Sequence, residues 1–181
     1  MRRLMLCAVP TLILCMVVVL GAPAGGQNNL RLGKPADRAR IGAWDIDVSP
    51  DGAGLPPGSG SARQGALVFE MKCAACHGEA GAGQPADRLT GGVGTLKSAR
   101  PIKTVASYWP YATTLFSYIR SAMPINDPQS LTADEVYALS AYLLSVDGIV
   151  GKDAVLDAGS LAKIKMPNRD GFRNAWGRPA E

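Results

Sequence analysis

Two cysteines and the only histidine of the chain lie together in the sequence Cys73-Ala74-Ala75-Cys76-His77. Residues three apart on a helix share one face, so both thiols can reach the same planar ligand while the next residue is held beneath it. This C-x-x-C-H spacing is typical of covalent haem attachment, in which each thiol adds to a vinyl group and the histidine binds iron. The motif predicts one covalent haem c, attached through Cys73 and Cys76 with His77 as an axial ligand.

The N-terminal segment has the composition of a secretory signal peptide. Two arginines precede an apolar run over residues 4–20, and the small residues 21–24 follow, in the order of a charged region, an apolar region and a cleavage site. Residues 1–24 are therefore predicted to direct export to the periplasm and to be removed, together with Cys7 and Cys15. The apolar run is close to the lower limit of roughly 17 residues for a spanning helix, so a retained anchor is the alternative.

Charge gives no indication of a nucleic-acid partner. The formal net charge is +4, and two of those charges, Arg2 and Arg3, belong to the predicted signal peptide. Two haem propionates would neutralise most of the remainder, and no clustered basic stripe of the kind that follows a phosphate backbone is present. We expect neither nucleic acid as a partner nor stable membrane insertion after signal cleavage.

Other uses of a C-x-x-C sequence fit this chain less well. A structural zinc site needs about four Cys or His ligands, and the cleaved chain would keep only Cys73, Cys76 and His77. A thioredoxin-like motif belongs beside a βαβ pattern, whereas this one closes a predicted helix. Because the chain has one histidine, a haem with two histidine ligands is excluded within one chain, and another group must occupy the sixth position.

Methionine is the usual partner of histidine on the iron of electron-transfer cytochromes. After signal cleavage, Met71, Met123 and Met166 remain. Met71 lies two residues before Cys73 on the same predicted helix, so it cannot reach the opposite haem face. Met123, which ends a predicted helix and precedes Pro124, is the predicted sixth ligand. Met166, water, a lysine or an open site are the alternatives.

Three helices and no strand are predicted. Their expected bounds are residues 61–76, 111–122 and 131–145. Ser61 is the expected N-cap of the first helix, and Thr132 with Glu135 forms a capping box at the start of the third. Residues 78–110 are predicted to form a long Gly/Pro-rich loop. Loops of this length are uncommon in a compact domain, and a haem enclosed by the loop would explain it. The predicted class is all-α, with few short helices around one haem.

The predicted organisation has four parts. These are the signal peptide 1–24, an N-terminal arm 25–60, a haem domain 61–148 and a C-terminal arm 149–181. The arms have no sustained helical period, yet they contain large apolar side chains such as Trp44 and Trp176, which are unfavourable when exposed as patches. We expect the arms either to wrap the haem domain or to embrace a second protein.

Aromatic residues crowd the segment before Met123. A buried haem propionate needs a hydrogen bond or a charge partner, and Trp109 and Arg120 are the candidates for that contact, with core packing as the alternative. His77 should have its free ring nitrogen bonded to a backbone carbonyl. Residues 84–88 are placed to offer that carbonyl.

From about residue 65 to residue 144 the chain resembles a small class I cytochrome c. Gly65 and Phe69 precede the cysteines at the spacing of that family, and the Met-Pro pair at Met123 fits its distal loop. The resemblance implies the cytochrome c fold, in which Gly65 and Phe69 meet Tyr142 where the first and last helices cross.

A narrower resemblance reaches into both arms. Segments 43–48, 51–60, 104–112 and 167–172 are similar to those of SoxD-like cytochromes, the cytochrome subunits of sulfane dehydrogenases in thiosulfate oxidation. Related cytochromes serve sulfite dehydrogenases. The resemblance implies a molybdenum-containing catalytic subunit as electron donor and another cytochrome c or an oxidase as acceptor. A sulfite dehydrogenase subunit and a diffusible periplasmic shuttle are the alternatives.

Two functions other than electron transfer stay open at this point. A haem enzyme needs an open or labile iron site, and a binding module would use its haem only structurally. Ligation by histidine and methionine fills both axial positions and leaves no room for substrate at iron. Electron transfer as a subunit of an oxidoreductase complex is therefore the leading interpretation, rather than catalysis by this chain alone.

Overall fold

The computed structural model describes residues 33–173 and 175–176. The predicted signal peptide, residues 1–24, lies outside them. Contacts divide the chain into two compact units, of which the first ends at Ile41 and the second begins at Gly42. Among the described residues, 33–41 belong to the first unit and all later ones to the second. Among the described residues, no helix combines the length and the apolar character needed to span a membrane.

Seven α-helices and two short strands form the regular structure of the described residues. The helices are α1 (Arg38–Trp44), α2 (Ala62–Lys72), α3 (Ala74–His77), α4 (Val105–Tyr108), α5 (Ala112–Ala122), α6 (Ala133–Val146) and α7 (Ala158–Leu161), and the strands are β1 (Ser59–Ser61) and β2 (Val155–Asp157). Single 3₁₀ turns at Glu79–Gly81 and Thr95–Lys97 interrupt the long loop between α3 and α4. The predicted all-α class is confirmed.

Capping side chains set the starts of the two longest predicted helices. The Ser61 hydroxyl accepts the Gln64 N–H at 3.2 Å, and the Gln64 side chain accepts the Ser61 N–H at 2.9 Å. Thr132 and Glu135 form the same reciprocal pair at the start of α6, as predicted. Each pair satisfies backbone N–H groups that have no partner within the helix.

The first predicted helix, residues 61–76, is wrong in one respect because it breaks at Cys73. The backbone there has φ −128° and ψ −37°, outside the helical range, and it separates α2 from α3. Hydrogen bonds continue across the break, since the Cys73 N–H bonds to the Phe69 carbonyl at 2.8 Å and the His77 N–H to the Cys73 carbonyl at 2.9 Å. The break therefore changes the direction of the backbone at Cys73, while hydrogen bonds still connect α3 to α2.

Helices α2 and α6 cross at closest approach through a glycine. A Cβ on Gly65 would collide with the backbone carbonyl of Ala138, so only glycine allows this contact. One turn further along α2, the Phe69 ring lies 5.3 Å from the Tyr142 ring. The predicted meeting of Gly65 and Phe69 with Tyr142 is confirmed, and it forms one wall of the core.

Both arms contain regular structure that the sequence pattern did not predict. Strand β1 pairs antiparallel with β2, with Gly60 opposite Leu156, so the expectation of no strand is wrong. Helix α1 lies in the N-terminal arm, where the Asp37 carboxylate accepts the Arg40 N–H at 2.7 Å. Each strand has only three residues, which is too short to show the alternation of apolar and polar side chains that identifies a strand in a sequence. Such strands form because the fold brings the two segments together.

The C-terminal arm packs on the haem domain, whereas one tryptophan in each arm is exposed. Leu161 and Met166 are completely or almost completely buried in the core. Trp44 and Trp176, by contrast, expose 80% and 86% of their surfaces. The C-terminal arm therefore buries part of its apolar surface in the core and leaves Trp176 largely exposed.

Candidate haem site

Cys73, Cys76 and His77 lie within one helical turn at the break between α2 and α3. The Cys76 and His77 N–H groups both bond to the Cys73 carbonyl, at 3.1 and 2.9 Å. Cys73 and Cys76 are free thiols, the first half-buried and the second exposed. The turn therefore holds two uncommitted thiols and one imidazole against the same opening.

That opening is an apolar cleft of about 570 Å³, including the solvent at its mouth. It is lined by the motif residues Cys73, Cys76 and His77, by the α5–α6 connection at Met123, Pro124, Ile125, Asn126 and Leu131, and by Phe69, Lys72, Leu89, Ile119, Leu139 and Leu143. The cleft thus brings both thiols, the imidazole and the predicted sixth ligand together in apolar surroundings.

The His77 ring is oriented by a backbone carbonyl. Its Nδ1 lies 2.9 Å from the carbonyl oxygen of Asp87, which confirms the prediction that residues 84–88 supply this partner. With Nδ1 donating its proton, the lone pair of Nε2 is free for a metal. The carbonyl also fixes the plane of the ring and makes the imidazole a better donor to iron.

The loop that carries Asp87 is tied back to the motif itself. The Gly83 N–H bonds to the His77 carbonyl at 2.7 Å, and the Ala86 N–H bonds to the Cys76 carbonyl at 2.8 Å. These two backbone bonds hold the loop against the motif, so the Asp87 carbonyl that orients the imidazole is itself fixed in position.

The two candidate methionines occupy different environments. Met123 is the C-cap residue of α5, with an extended backbone and an N–H bonded to the Ile119 carbonyl at 3.1 Å, and it lines the cleft. Met166 is 1% exposed and belongs to the hydrophobic core. The structure brings Met123, and not Met166, to the cleft; its role as the sixth ligand stays a prediction.

Burial raises the pKa of the Cys73 thiol to about 11, and Cys76 adds to the rise while Lys72 opposes it. The apolar surroundings therefore favour the neutral Cys73 thiol over the thiolate.

Trp109 and Arg120 do not line the cleft. The Trp109 ring packs against the Tyr118 ring at 5.7 Å between centroids. Arg120 is half-buried, and its Nη1 donates to the carbonyl oxygen of Ile46 at 3.3 Å. The structure therefore does not group these residues with His77, and their contact with a haem propionate stays a prediction.

Sequence reasoning missed most of the side chains that make the cleft apolar. Leu139 and Leu143 lie within the third predicted helix, but no motif connects them with the haem, and nothing in the sequence distinguishes Leu89 from other loop residues. Lys72 at the cleft pairs with Glu135 at 2.6 Å. The hydrogen bond from Lys72, followed by that from the Thr132 backbone, lowers the pKa of Glu135.

An apolar cleft with two free thiols, one oriented imidazole and a methionine side chain contains the groups that a c-type cytochrome uses to hold its haem. The cytochrome c family model matches residues 62–147. The structure also aligns, with a TM-score of 0.75 and 42% sequence identity, to a chain in the crystal structure of the sulfane dehydrogenase SoxCD from Paracoccus pantotrophus. That alignment covers 80% of this chain and 71% of the other. The comparison with curated proteins gives no match.

The chain belongs to the class I c-type cytochromes. Its cofactor is a covalently bound haem c, for which Cys73 and Cys76 are in place. Its general function is that of an electron carrier.

Proposed function

We propose that this chain is the monohaem electron-transfer subunit of a periplasmic, molybdenum-containing sulfane dehydrogenase that acts in thiosulfate oxidation. The observation that carries the proposal is the extent of the similarity to the SoxCD chain. The cytochrome c family model matches only residues 62–147, whereas the SoxCD alignment covers 80% of this chain at 42% identity. The likeness therefore extends beyond the haem domain into the arms, which the common carrier function does not require.

Four residues hold the cofactor in this proposal. Cys73 and Cys76 would attach the haem covalently, and His77 Nε2 and the Met123 sulfur would bind its iron. The haem would supply a one-electron couple, whose potential ligation by methionine and histidine would raise. The Asp87 carbonyl would hold the imidazole in its orientation.

The apolar lining of the cleft serves electron transfer rather than catalysis. Phe69, Leu139 and Leu143 exclude water from the cofactor face, so little solvent has to reorganise when the charge on the cofactor changes. Two protein axial ligands leave no position for a substrate. Sulfur chemistry therefore belongs to the partner, and this chain accepts the electrons and passes them to another cytochrome c or an oxidase.

Export completes the proposal. The composition of residues 1–24 is that of a cleaved signal, and covalent attachment retains a cofactor that could otherwise diffuse away outside the cytoplasm. A sulfite dehydrogenase subunit is the second candidate, because the resemblance in the arms is shared with cytochromes of that group. A freely diffusing shuttle is the third.

Purification from periplasmic extract, followed by reduction assays, separates these candidates. We expect the haem to co-purify with a molybdenum-containing protein and to be reduced when a sulfane substrate is added. The Cys73→Ala/Cys76→Ala variant is the control, since it should contain no covalent haem and accept no electrons. Reduction by sulfite alone would support the second candidate, and a haem protein that purifies alone and is reduced by neither donor would support the shuttle.

A further inference from the structure

A cluster of aromatic rings lies on the surface where the C-terminal arm meets the segment before α5. The Tyr108 ring packs edge-on against Phe172 at 5.2 Å, and the Trp109 ring packs edge-on against Tyr118 at 5.7 Å. Phe172 and Tyr118 expose about half of their surfaces, 50% and 48%. Core packing therefore accounts for only part of these rings.

Two positive charges lie over aromatic rings of this segment. The Lys103 ammonium lies 5.0 Å from the centre of the Tyr108 ring, and the Arg169 guanidinium lies 4.1 Å from that of Tyr111. Both ion pairs of the described residues lie elsewhere, so neither cation has a carboxylate within 4.0 Å among those residues. The charges are held by aromatic faces and remain available to an acidic group from outside.

The cluster is held in place by backbone contacts. The Asn168 side chain donates to the Tyr108 carbonyl at 2.7 Å, and Tyr111 forms an isolated antiparallel bridge with Lys165. These contacts fix the arm against α4 and the start of α5. A surface that is already ordered loses little conformational entropy when a partner binds.

The cluster shares helix α5 with the haem cleft. Tyr118 is adjacent to Ile119, which lines the cleft, and precedes Met123 by five residues. A partner bound to the rings would therefore contact the same helix that carries two residues of the cleft.

We infer that this surface, the aromatic–basic patch formed by Lys103, Tyr108, Tyr111, Tyr118, Arg169 and Phe172, docks an acidic face of a redox protein. Tyr and Arg are the residues that most often dominate protein–protein binding energy. The rings are half-buried on folded segments, and none lies on an apolar face of a surface helix of the kind that inserts into lipid. The inference rests on the electron-carrier function and not on the identity of the donor.

Reduced plant-type ferredoxin, a small acidic redox protein of low potential, is a suitable probe. We expect the holoprotein variant Lys103→Glu/Arg169→Glu to be reduced about tenfold more slowly than wild type at low ionic strength, because attractive steering becomes repulsive. The difference should shrink as salt is added. Stopped-flow absorbance of the haem measures both rates.

A matched double variant controls for net charge. Lys152 and Lys163 are exposed and lie outside the patch, and Lys163 is placed beside Asp157. Lys152→Glu/Lys163→Glu makes the same change in net charge and should slow reduction less than about twofold. Equal slowing in the two double variants, or none in either, would overturn the inference. Loss of affinity for anionic lipid vesicles in the patch variant alone, or dissociation of a homodimer, would also overturn it.

The molybdenum subunit of a sulfane dehydrogenase provides a second probe. We expect Tyr118→Ala/Phe172→Ala to weaken its binding to the holoprotein about tenfold at high salt, where the charges are screened, with the haem spectrum unchanged. If that subunit binds wild type and variants equally, the patch is wrong while the proposed function stands. If it does not bind wild type, but ferredoxin discriminates the charge variants, the proposed function fails and the patch stands.

Discussion

The two sides of the haem cleft are held in different ways. On the histidine side, the loop after the motif is fixed by bonds such as those from Gly83 to His77 and from Leu89 to Gly81, both shorter than 2.9 Å. On the methionine side, the connection from α5 to α6 is secured by a Met123 bond to Ile119 and a turn closed by Asp127. Ile125 in that connection is 77% exposed.

This difference shows how one fold can combine a fixed ligand with an adaptable one. The orientation of His77 is determined several times over by backbone bonds that do not depend on the cofactor. The position of Met123 depends on a helix end and, in the proposed haem complex, on the bond that its sulfur would make to iron. Segments with few internal bonds open at a low free-energy cost, so the methionine side should be the first to open.

The largest expected effect concerns the second methionine. Met166→Ala should lower the free energy of unfolding by about 2–5 kcal/mol, because it leaves a cavity in a close-packed core. It should leave the optical spectrum of the haem unchanged. Chemical denaturation followed by circular dichroism measures the first effect, and a changed spectrum in the folded variant would transfer the ligand role to Met166.

A smaller effect should distinguish the two sides of the cleft directly. The Thr90 hydroxyl is nearly buried and donates to the Ala80 carbonyl at 2.8 Å within the histidine-side loop. Thr90→Val keeps the shape but leaves that carbonyl unpaired, which should cost about 1–3 kcal/mol. Asp127→Ala, at an exposed residue of the methionine-side connection that does not line the cleft, should stay within about 0.5 kcal/mol of wild type. If the exposed residue costs more, the two sides are not held as described.

The smallest predicted effect depends on pH and concerns Asp147, at the end of α6, which binds the histidine-side loop at Gly91. Asp147 Oδ1 accepts the Gly91 N–H at 2.6 Å, whereas its buried Oδ2 has no partner among the described residues. Burial raises the pKa of Asp147, and the bond from Gly91 partly offsets the rise. A raised carboxyl pKa means that the folded state is favoured when the group is protonated and loses stability as pH rises through that pKa.

Asp147→Asn should therefore stabilise the protein at pH 7, by on the order of 1 kcal/mol. The amide oxygen can still accept from Gly91, and no charge is buried. The gain should vanish below the ordinary carboxyl pKa of 3.8, where wild type is neutral in both states. Thermal unfolding at several pH values measures it, and a destabilised variant at pH 7 would show that the charge itself holds the loop.

The sequence predicted the parts of this molecule that local chemistry determines. Capping boxes at Ser61 and Thr132 gave the helix starts to within two residues, and the motif gave the cofactor. The break at Cys73 escaped prediction because the residues on both sides of it favour a helix. The pairing of β1 with β2 escaped it because each strand gains its partner only through the fold.

The choice between the two methionines shows the same limit at the site. Both precede a proline, and both belong to segments without a strong helical period at that point. Burial separates them, since Met166 is enclosed by the core and Met123 lines the cleft. Chain position after the second helix favoured Met123 correctly as a cleft residue, but only packing shows why Met166 is unavailable.

The most direct test of this account is the optical spectrum of the ferric protein and of its Met123→Ala variant. Wild type should show the weak band at the red edge of the visible range that sulfur ligation of ferric haem produces. The variant should lose that band while keeping its covalent haem, and its potential should fall by on the order of 0.1 V, within the ~0.8 V range that axial ligands set. A wild-type spectrum without the band, or a variant that retains it, would contradict the assignment of the cleft to a haem held between His77 and Met123.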